Sequence, residues 1–231
     1  MTELPRLVLF ARAPRAGEVK TRLAPLLTEQ GAARLYRAFL EDAARAYVEP
    51  GAWDAVLAAD PDAADPVFVE LFGAPWRRES QASGDLGVRL ASAFEREFSR
   101  GAPRVLAVGS DHPALPRRLL EEAFGLLARG CQAAVIPAED GGYCAIGLAP
   151  GAGFREIFRD IPWSSSSVLD LTLERIRSAR LHLALLPAVY DVDRPEDIGR
   201  LRRDLATRDS AAPDYPRATA KVLESLLEDS A

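Results

Sequence analysis

Short, unbroken apolar runs alternate along this chain with longer stretches in which apolar residues return every third or fourth position. The first pattern predicts strands and the second amphipathic helices. Residues 7–10 (LVLF) form a continuous apolar run, as expected of a strand covered on both faces in a parallel sheet. In residues 29–47, Leu35, Phe39, Ala43 and Tyr47 recur at every fourth position, with Arg34, Arg37, Glu41 and Arg45 between them, so a helix is predicted there. Residues 52–59 read as a second strand, and a Pro- and Asp-rich turn then leads to a short helix near 67–72. A helix begins at Gly87 and continues through Phe98, and residues 104–109 (RVLAVG) form another buried strand. Residues 116–129 are a clear amphipathic helix, with Leu119, Leu120, Ala123, Phe124 and Leu127 on one face. Two strands follow at 132–136 and 143–148, then a serine cluster capping a helix that ends near Ile176, a strand at 181–186 and a helix after Pro195. Residues 207–216 are linker-like, and a last helix at about 217–227 carries Ala220, Leu223, Leu226 and Leu227.

Strands alternating with helices over 231 residues, 48% of them hydrophobic, predict one α/β domain with an ample core. Residues 1–207 are expected to form it, and 208–231 to be a linker and a helix that packs on the domain or on a partner subunit, which leaves a homodimer open. The net charge of -5 excludes the broad basic footprint of a nucleic-acid binder, so small anions fit better than polymers. No apolar run approaches the roughly 20 residues of a membrane span, and the opening MTELPR lacks the features of a signal peptide, so a soluble, cytoplasmic protein is expected. Cys131 and Cys144 sit in strand-like apolar surroundings without CxxC spacing and read as buried free thiols.

The chemistry is concentrated where strands end. Directly after the first strand come Arg12, Arg15, Lys20 and Arg22, opposed only by Glu18, with Pro14 and Gly17 shaping the turn. Open α/β sheets bind ligands beyond the carboxyl ends of their strands, and cations there suit phosphates. Neither a Walker loop nor GxGxxG occurs in this stretch, so phosphate must be held mainly by side chains. Gly84 and Gly87 bracket Asp85 at a helix start, with Arg89 about one turn in, which fits either a nucleoside site or a plain Asp N-cap. The strand at 104–109 runs into Ser110, Asp111, His112 and Pro113, and a carboxylate at that tip is well placed to hold a divalent ion against phosphate oxygens. His112, beside a proline, reads as a turn residue. The loop PAEDGGY offers Asp140 as an acceptor ligand or base, with Gly141 and Gly142 allowing close approach, though alone it reads as a hairpin turn. The serines at 164–167 exceed what a helix cap needs, so with Trp163 they read either as a polar acceptor pocket or as a plain loop. In YDVDRPED, extended chain puts Tyr190 and Val192 on one face and Asp191 and Asp193 on the other, with Asp193 a second metal ligand, a helix cap or both.

Taken together, FARAPRAGEVKTRLAP, QASGDLGVRL, GSDHPAL, PAEDGGYCAIGL, IPWSSSSV and YDVDRPEDI resemble one family in order and spacing. They are similar to the bacterial glycosyltransferase-A-like proteins once grouped as a domain of unknown function, related to 2-phospholactate and molybdenum-cofactor guanylyltransferases. The resemblance implies the nucleotide-diphospho-sugar transferase fold, a three-layer α/β/α sandwich with a mostly parallel sheet. It assigns Arg12, Lys20, Arg22, Gly84, Asp85 and Arg89 to the nucleotide; Gly17 and Ser110, within these motifs, are expected at the same site, and Lys20, Arg22, Asp111 and Asp140 are the candidate catalytic residues. Asp111 and Asp193 would hold Mg2+ or Mn2+, while Asp140, Gly141, Gly142, Tyr143 and Trp163 would face the acceptor. Ala82, His112 and Arg194 depart from the pattern, which more often has glycine, cysteine and threonine there, and Asp111 stands alone where a DxD is usual.

Two reactions share this chemistry, because both must stabilise charge on a departing phosphate. In one, an acceptor hydroxyl attacks the sugar carbon of a nucleotide-sugar. In the other, a phosphorylated acceptor attacks the α-phosphorus of a nucleoside triphosphate and pyrophosphate leaves. Glycosyl transfer to a small acceptor is the leading expectation, nucleotidyl transfer the second, and a non-catalytic nucleotide-binding protein the third.

Overall fold

The computed structural model describes residues 3–49 and 51–228, with side chains as far as Leu226. Leu227, assigned above to the apolar face of the last helix, and Met1 and Thr2 of the opening segment lie outside the residues so described. In chain order the elements are strand β1 (Arg6–Arg12), a 3-10 turn (Thr21–Leu23), α1 (Ala24–Ala46), β2 (Asp54–Asp60), α2 (Pro66–Leu71), β3 (Arg77–Ser80) and α3 (Leu86–Ser99). Then come β4 (Val105–Gly109), α4 (Arg117–Ala128), β5 (Ala133–Pro137), β6 (Tyr143–Leu148), α5 (Phe154–Ile157) and α6 (Val168–Ser178). The chain closes with β7 (Leu183–Leu185), α7 (Pro195–Thr207) and α8 (Arg217–Glu228).

The strands form one sheet in the order β3-β2-β1-β4-β6-β5-β7, parallel except for β6, which runs antiparallel to both β4 and β5. β1 pairs with β2 from Arg6 opposite Asp54 and with β4 from Arg6 opposite Val105, so it is central, as its unbroken apolar run requires. Alternate residues of β1 enter two separate cores. Leu7, Leu9 and Ala11 join α1, α4, α7 and α8 on one face. Val8 joins Leu90 and Phe94 of α3, Ile157 of α5 and Ile176 of α6 on the other. The expected three-layer sandwich is therefore the observed one, and no helix among the described residues is long and apolar enough to cross a membrane.

Three features were not legible in the periodicity. β3 (RRES) carries no apolar residue and was not predicted; it is an edge strand paired only with β2. Its charges are matched by Glu97, fully buried on α3, which draws Arg77, Arg6 (3.8 Å), Arg96 (3.8 Å) and Arg100 (3.3 Å) around one carboxylate. α1 is broken at Thr28 (φ 62°), whose hydroxyl accepts from the Gly31 amide at 3.1 Å, so regular helix starts where the 29–47 pattern starts. α8 lies on α1: buried Asp42 accepts from the amides of Ala218 (3.1 Å) and Thr219 (2.8 Å), and Leu223 and Leu226 join the core of that face. Both cysteines are free, Cys144 buried and Cys131 only partly so, because Cys131 lies in the turn before β5 and not within the strand.

Candidate active site

In this sheet the chain order reverses between β1 and β4, the place where such sheets bind ligands beyond their strand ends. Lys20 stands there on the loop after β1, with a left-handed backbone (φ 48°) that turns its side chain inward until 4% of it is exposed. Its Nζ lies 2.5 Å from Asp111 Oδ1 and 3.8 Å from Asp193 Oδ1, and Arg22 Nη1 lies 2.6 Å from Asp193 Oδ2. Asp111 follows β4 directly. Asp193 reaches it because the Val192 amide donates to the Asp111 carbonyl at 3.0 Å, holding the segment before α7 against the strand tip. Desolvation raises the pKa of Asp111, but the charge and hydrogen bond of Lys20 outweigh it and hold the carboxyl below its ordinary range. Four residues from three distant stretches thus form one ionised cluster.

Asp193 does not cap α7. Asp197 does so in its place, its Oδ2 accepting from the amides of Asp193 (3.0 Å) and Arg194 (2.7 Å), which frees the Asp193 carboxylate for the cations. Tyr190 and Val192 are buried, whereas Asp191 and Asp193 turn to the cleft, in line with the alternation of an extended segment. Asp191 was not singled out from the sequence as a site residue, although that alternation was the signal for it. Burial, with the Asp140 carboxylate near it, pushes its pKa up.

The opposite wall is the β5–β6 turn and the serine loop. Asp140 Oδ1 accepts from the Gly142 amide at 2.9 Å, so the expected tight turn is present and also faces the cleft. Gly141 (φ 91°) lets the two loops touch: a Cβ there would stand 2.2 Å from the Ser166 carbonyl, and the Leu169 amide donates to the Gly141 carbonyl at 2.8 Å. The serines do not cap α6 by a side chain; Ser165 and Ser167 hydroxyls meet at 2.9 Å, and Ser164, Ser165 and Ser166 line the cleft with Tyr143 and Trp163. Trp163 Nε1 is buried with no hydrogen-bond partner among the described residues. The whole cleft, from Lys20, Arg22, Asp111, Asp191 and Asp193 across to Asp140 and the serines, encloses about 720 Å³.

The remaining candidates lie elsewhere. Arg12 Nε and Arg89 Nη1 both bind Asp60 Oδ2 at 3.1 Å, and Arg89 also donates to the Gly84 carbonyl (2.9 Å) and to Gln81 (3.3 Å). This second polar cluster, at the carboxyl ends of β1 and β2, adds Asp60 and Gln81, which the sequence reading missed. Leu86 alone of that neighbourhood lines the cleft. Asp85 caps α3, accepting from the Val88 amide at 2.9 Å. The Ser110 hydroxyl is turned inward to the Tyr36 hydroxyl at 2.7 Å, and Gly17 (φ 78°) serves the turn beside Glu29. His112 is buried with Nδ1 3.1 Å from the Tyr190 carbonyl, a turn residue as expected; burial, opposed by Asp111, holds its pKa low. Among the described residues no three His, Cys, Asp or Glu side chains are grouped to hold a metal.

A mostly parallel sheet with an inverted β6, carrying an acidic and cationic cleft beyond β1 and β4, places the molecule in the nucleotide-diphospho-sugar transferase superfamily, a fold of nucleotide-using transferases. The chain belongs to the DUF2064 family, described as uncharacterized proteins conserved in bacteria, whose model matches residues 43–165. A protein of Desulfovibrio desulfuricans G20, provisionally described as a nucleotide-diphospho-sugar transferase, is 30% identical, with 98% of each chain covered and a TM-score of 0.86. A Leptospira borgpetersenii cytidylyltransferase shares the fold at 10% identity, with 100% of this chain and 96% of that one covered and a TM-score of 0.56. So does a CMP:2-keto-3-deoxy-manno-octonic acid synthetase solved with CTP, at 13% identity, 88% and 99% coverage and a TM-score of 0.53. No curated protein matches the sequence.

Proposed function

We propose that this protein transfers a glycosyl group from a nucleotide-sugar to a small acceptor, assisted by Mg2+ or Mn2+. The observation that supports this reading is the pairing of charges around the cleft. From the end of β1 through the 3-10 turn every cation already has a carboxylate partner: Arg12 with Asp60, Arg15 with Asp65, Lys20 with Asp111 and Arg22 with Asp193. Little of that loop is left as a free cradle for a triphosphate tail. The polar surface opposite, on Asp140 and the serine loop beside Trp163, carries hydrogen bonds but no cation, and hydroxyls with an aromatic face suit a sugar and an alcohol acceptor.

Asp111 and Asp193 are the residues that would hold the ion. Their hard oxygens converge on one point, and two carboxylates completed by substrate phosphates are a usual donor set for Mg2+. When bound, the ion neutralises charge on the departing phosphate. Lys20 and Arg22 add their positive charge to the same end of the cleft. At the other end the acceptor oxygen attacks the anomeric carbon as the bond from that carbon to the phosphate oxygen breaks. The nucleoside diphosphate leaves with the electron pair, and the acceptor proton passes to Asp140, whose Oδ1 is fixed by the Gly142 amide. Nucleotidyl transfer is the second reading, favoured by the cationic character of the loop after β1 and by the cytidylyltransferases that share the fold.

A thermal-shift panel of nucleoside triphosphates, diphosphates and nucleotide-sugars, each with and without Mn2+, separates the two. A ligand at about 100 times its Kd adds roughly 2.7 kcal/mol, a shift of a few degrees. Metal-dependent stabilisation by a nucleotide-sugar is expected, followed by release of nucleoside diphosphate in turnover. A response confined to one triphosphate, with pyrophosphate released, selects the second reading. Asp111→Asn is expected to abolish the metal-dependent turnover; full activity in that variant would overturn the assignment of the site.

A further inference from the structure

One oxygen of Asp111 and one of Asp193 point at the same nitrogen, Lys20 Nζ, while the other oxygen of Asp193 is held by Arg22. The ammonium is confined. Its side chain is 4% exposed, the rings of Tyr36 and Phe39 lie 5.9 Å from Nζ, and the left-handed backbone of Lys20 is a conformation that a non-glycine residue keeps only where its surroundings impose it. With Arg22 on Asp193, the buried ammonium brings two positive charges to the two carboxylates, as a divalent ion would, so the unliganded pair is already neutralised. A free ion approaching the same two oxygens meets the repulsion of a buried ammonium. The phosphates of a donor would change that balance, because their oxygens could accept the hydrogen bonds of Lys20 and supply further hard ligands to an ion held by Asp111 and Asp193.

We propose that Lys20 occupies the cation position between Asp111 and Asp193 in the unliganded protein, so that a divalent ion enters only together with a di- or triphosphate. The substrate is then the ion–nucleotide chelate, and Lys20, besides its place at the phosphates, excludes free metal. This rests on the proposed role of Asp111 and Asp193 as ion ligands and adds the order in which their ligands arrive.

The probe is Mn2+, followed by the paramagnetic resonance signal of the free ion as MnCl2 is titrated into the full chain. Wild type, Lys20→Arg, Lys20→Met and the double variant Lys20→Met/Asp111→Asn are compared, first with MnCl2 alone and then with inorganic tripolyphosphate present. Wild type and Lys20→Arg are expected to bind free Mn2+ weakly and Lys20→Met at least tenfold more tightly, a gain that the double variant loses. With tripolyphosphate, wild type is expected to show the broadened spectrum of a protein-bound ion. Should Lys20→Met fail to give a native circular dichroism spectrum, Lys20→Gln replaces it with the same expectation. Tight, polyphosphate-independent binding in wild type, unchanged by either neutral variant, overturns the role of Lys20 and leaves metal-assisted transfer standing. A gain that survives Asp111→Asn overturns it as well, since the ion then sits elsewhere. Absence of protein-bound Mn2+ in every variant, with nucleoside di- and triphosphates as with tripolyphosphate, overturns both readings.

Discussion

Gly141 shows how a single position can hold two walls of a site together. Its φ of 91° is available to glycine at little cost, and an added Cβ would fall 2.2 Å from the Ser166 carbonyl, backbone that cannot yield without moving the serine loop. Gly141→Ala is therefore expected to cost at least about 1 kcal/mol, from the left-handed backbone alone, and to lower turnover further by displacing Ser164–Ser166. A melting curve and an activity assay on the same preparation check this; unchanged values in both would show that the loops do not depend on each other. The sequence marked this glycine as one that permits close approach, but it could not say to what, because Ser166 lies 25 residues further along the chain. Asp191 is the converse. Its alternation with Val192 was visible, yet its share in the cleft depends on the hydrogen bond from Val192 to the Asp111 carbonyl, which no local pattern encodes.

At the scale of elements, the strands buried on both faces were the most legible and the edge the least. β1, β2, β4, β5 and β6 each have an apolar run that demands cover, whereas the three charged residues and one serine of β3 are stabilised by pairing with β2 and by the Glu97 cluster on α3. A strand of this kind has no periodicity of its own to read. Glu97 is fully buried beside Arg6, itself almost fully buried, so Glu97→Ala takes the buried carboxylate from a cluster in which Arg6 keeps Glu3 and Asp54, and Arg77, Arg96 and Arg100 keep Glu79. The expected loss is about 2 kcal/mol, the scale of lost hydrogen bonds to a charged group, measured as a fall in the urea midpoint, together with loosening of β3 seen by hydrogen exchange. A change under about 0.5 kcal/mol would show that the arginines are adequately solvated without it.

For the whole molecule, the question is whether residues 208–231 are an appendage or part of the domain. We propose that residues 208–228 are part of it, on the strength of the buried Asp42 that caps α8 from α1 and of Leu223 and Leu226 in the main core. Each such side chain contributes on the order of 1.5–3 kcal/mol when buried. A chain ending at Thr207 exposes their pockets and leaves Asp42 without its two amides. It is expected to melt well below the full chain or to be recovered only as aggregate, and a truncated protein with the melting temperature of the full chain would refute this. The same face carries a second hollow of about 710 Å³ between α4 and α7, parted from the cleft by Arg200, which forks onto Glu139 at 2.6 and 2.8 Å and lies 3.9 Å over the Tyr190 ring.

The sequence by itself determined the alternation of strands and helices, the burial of β1 on both faces, the turns that end the strands, and the motifs after β1, β4 and β5 that mark the family. These are properties of spacing and of neighbouring residues, and spacing is what a linear pattern records. Only the tertiary structure decided the strand order with its inverted β6, the place of α8, and which of the candidate residues share a site. Lys20, Arg22, Asp111 and Asp193 meet, whereas Arg12 and Arg89 gather at Asp60 and the Ser110 hydroxyl turns away. Each of these outcomes is set by the pairing of charges and hydrogen-bonding groups far apart in the chain, and such pairing exists only once the sheet has brought its strand ends together.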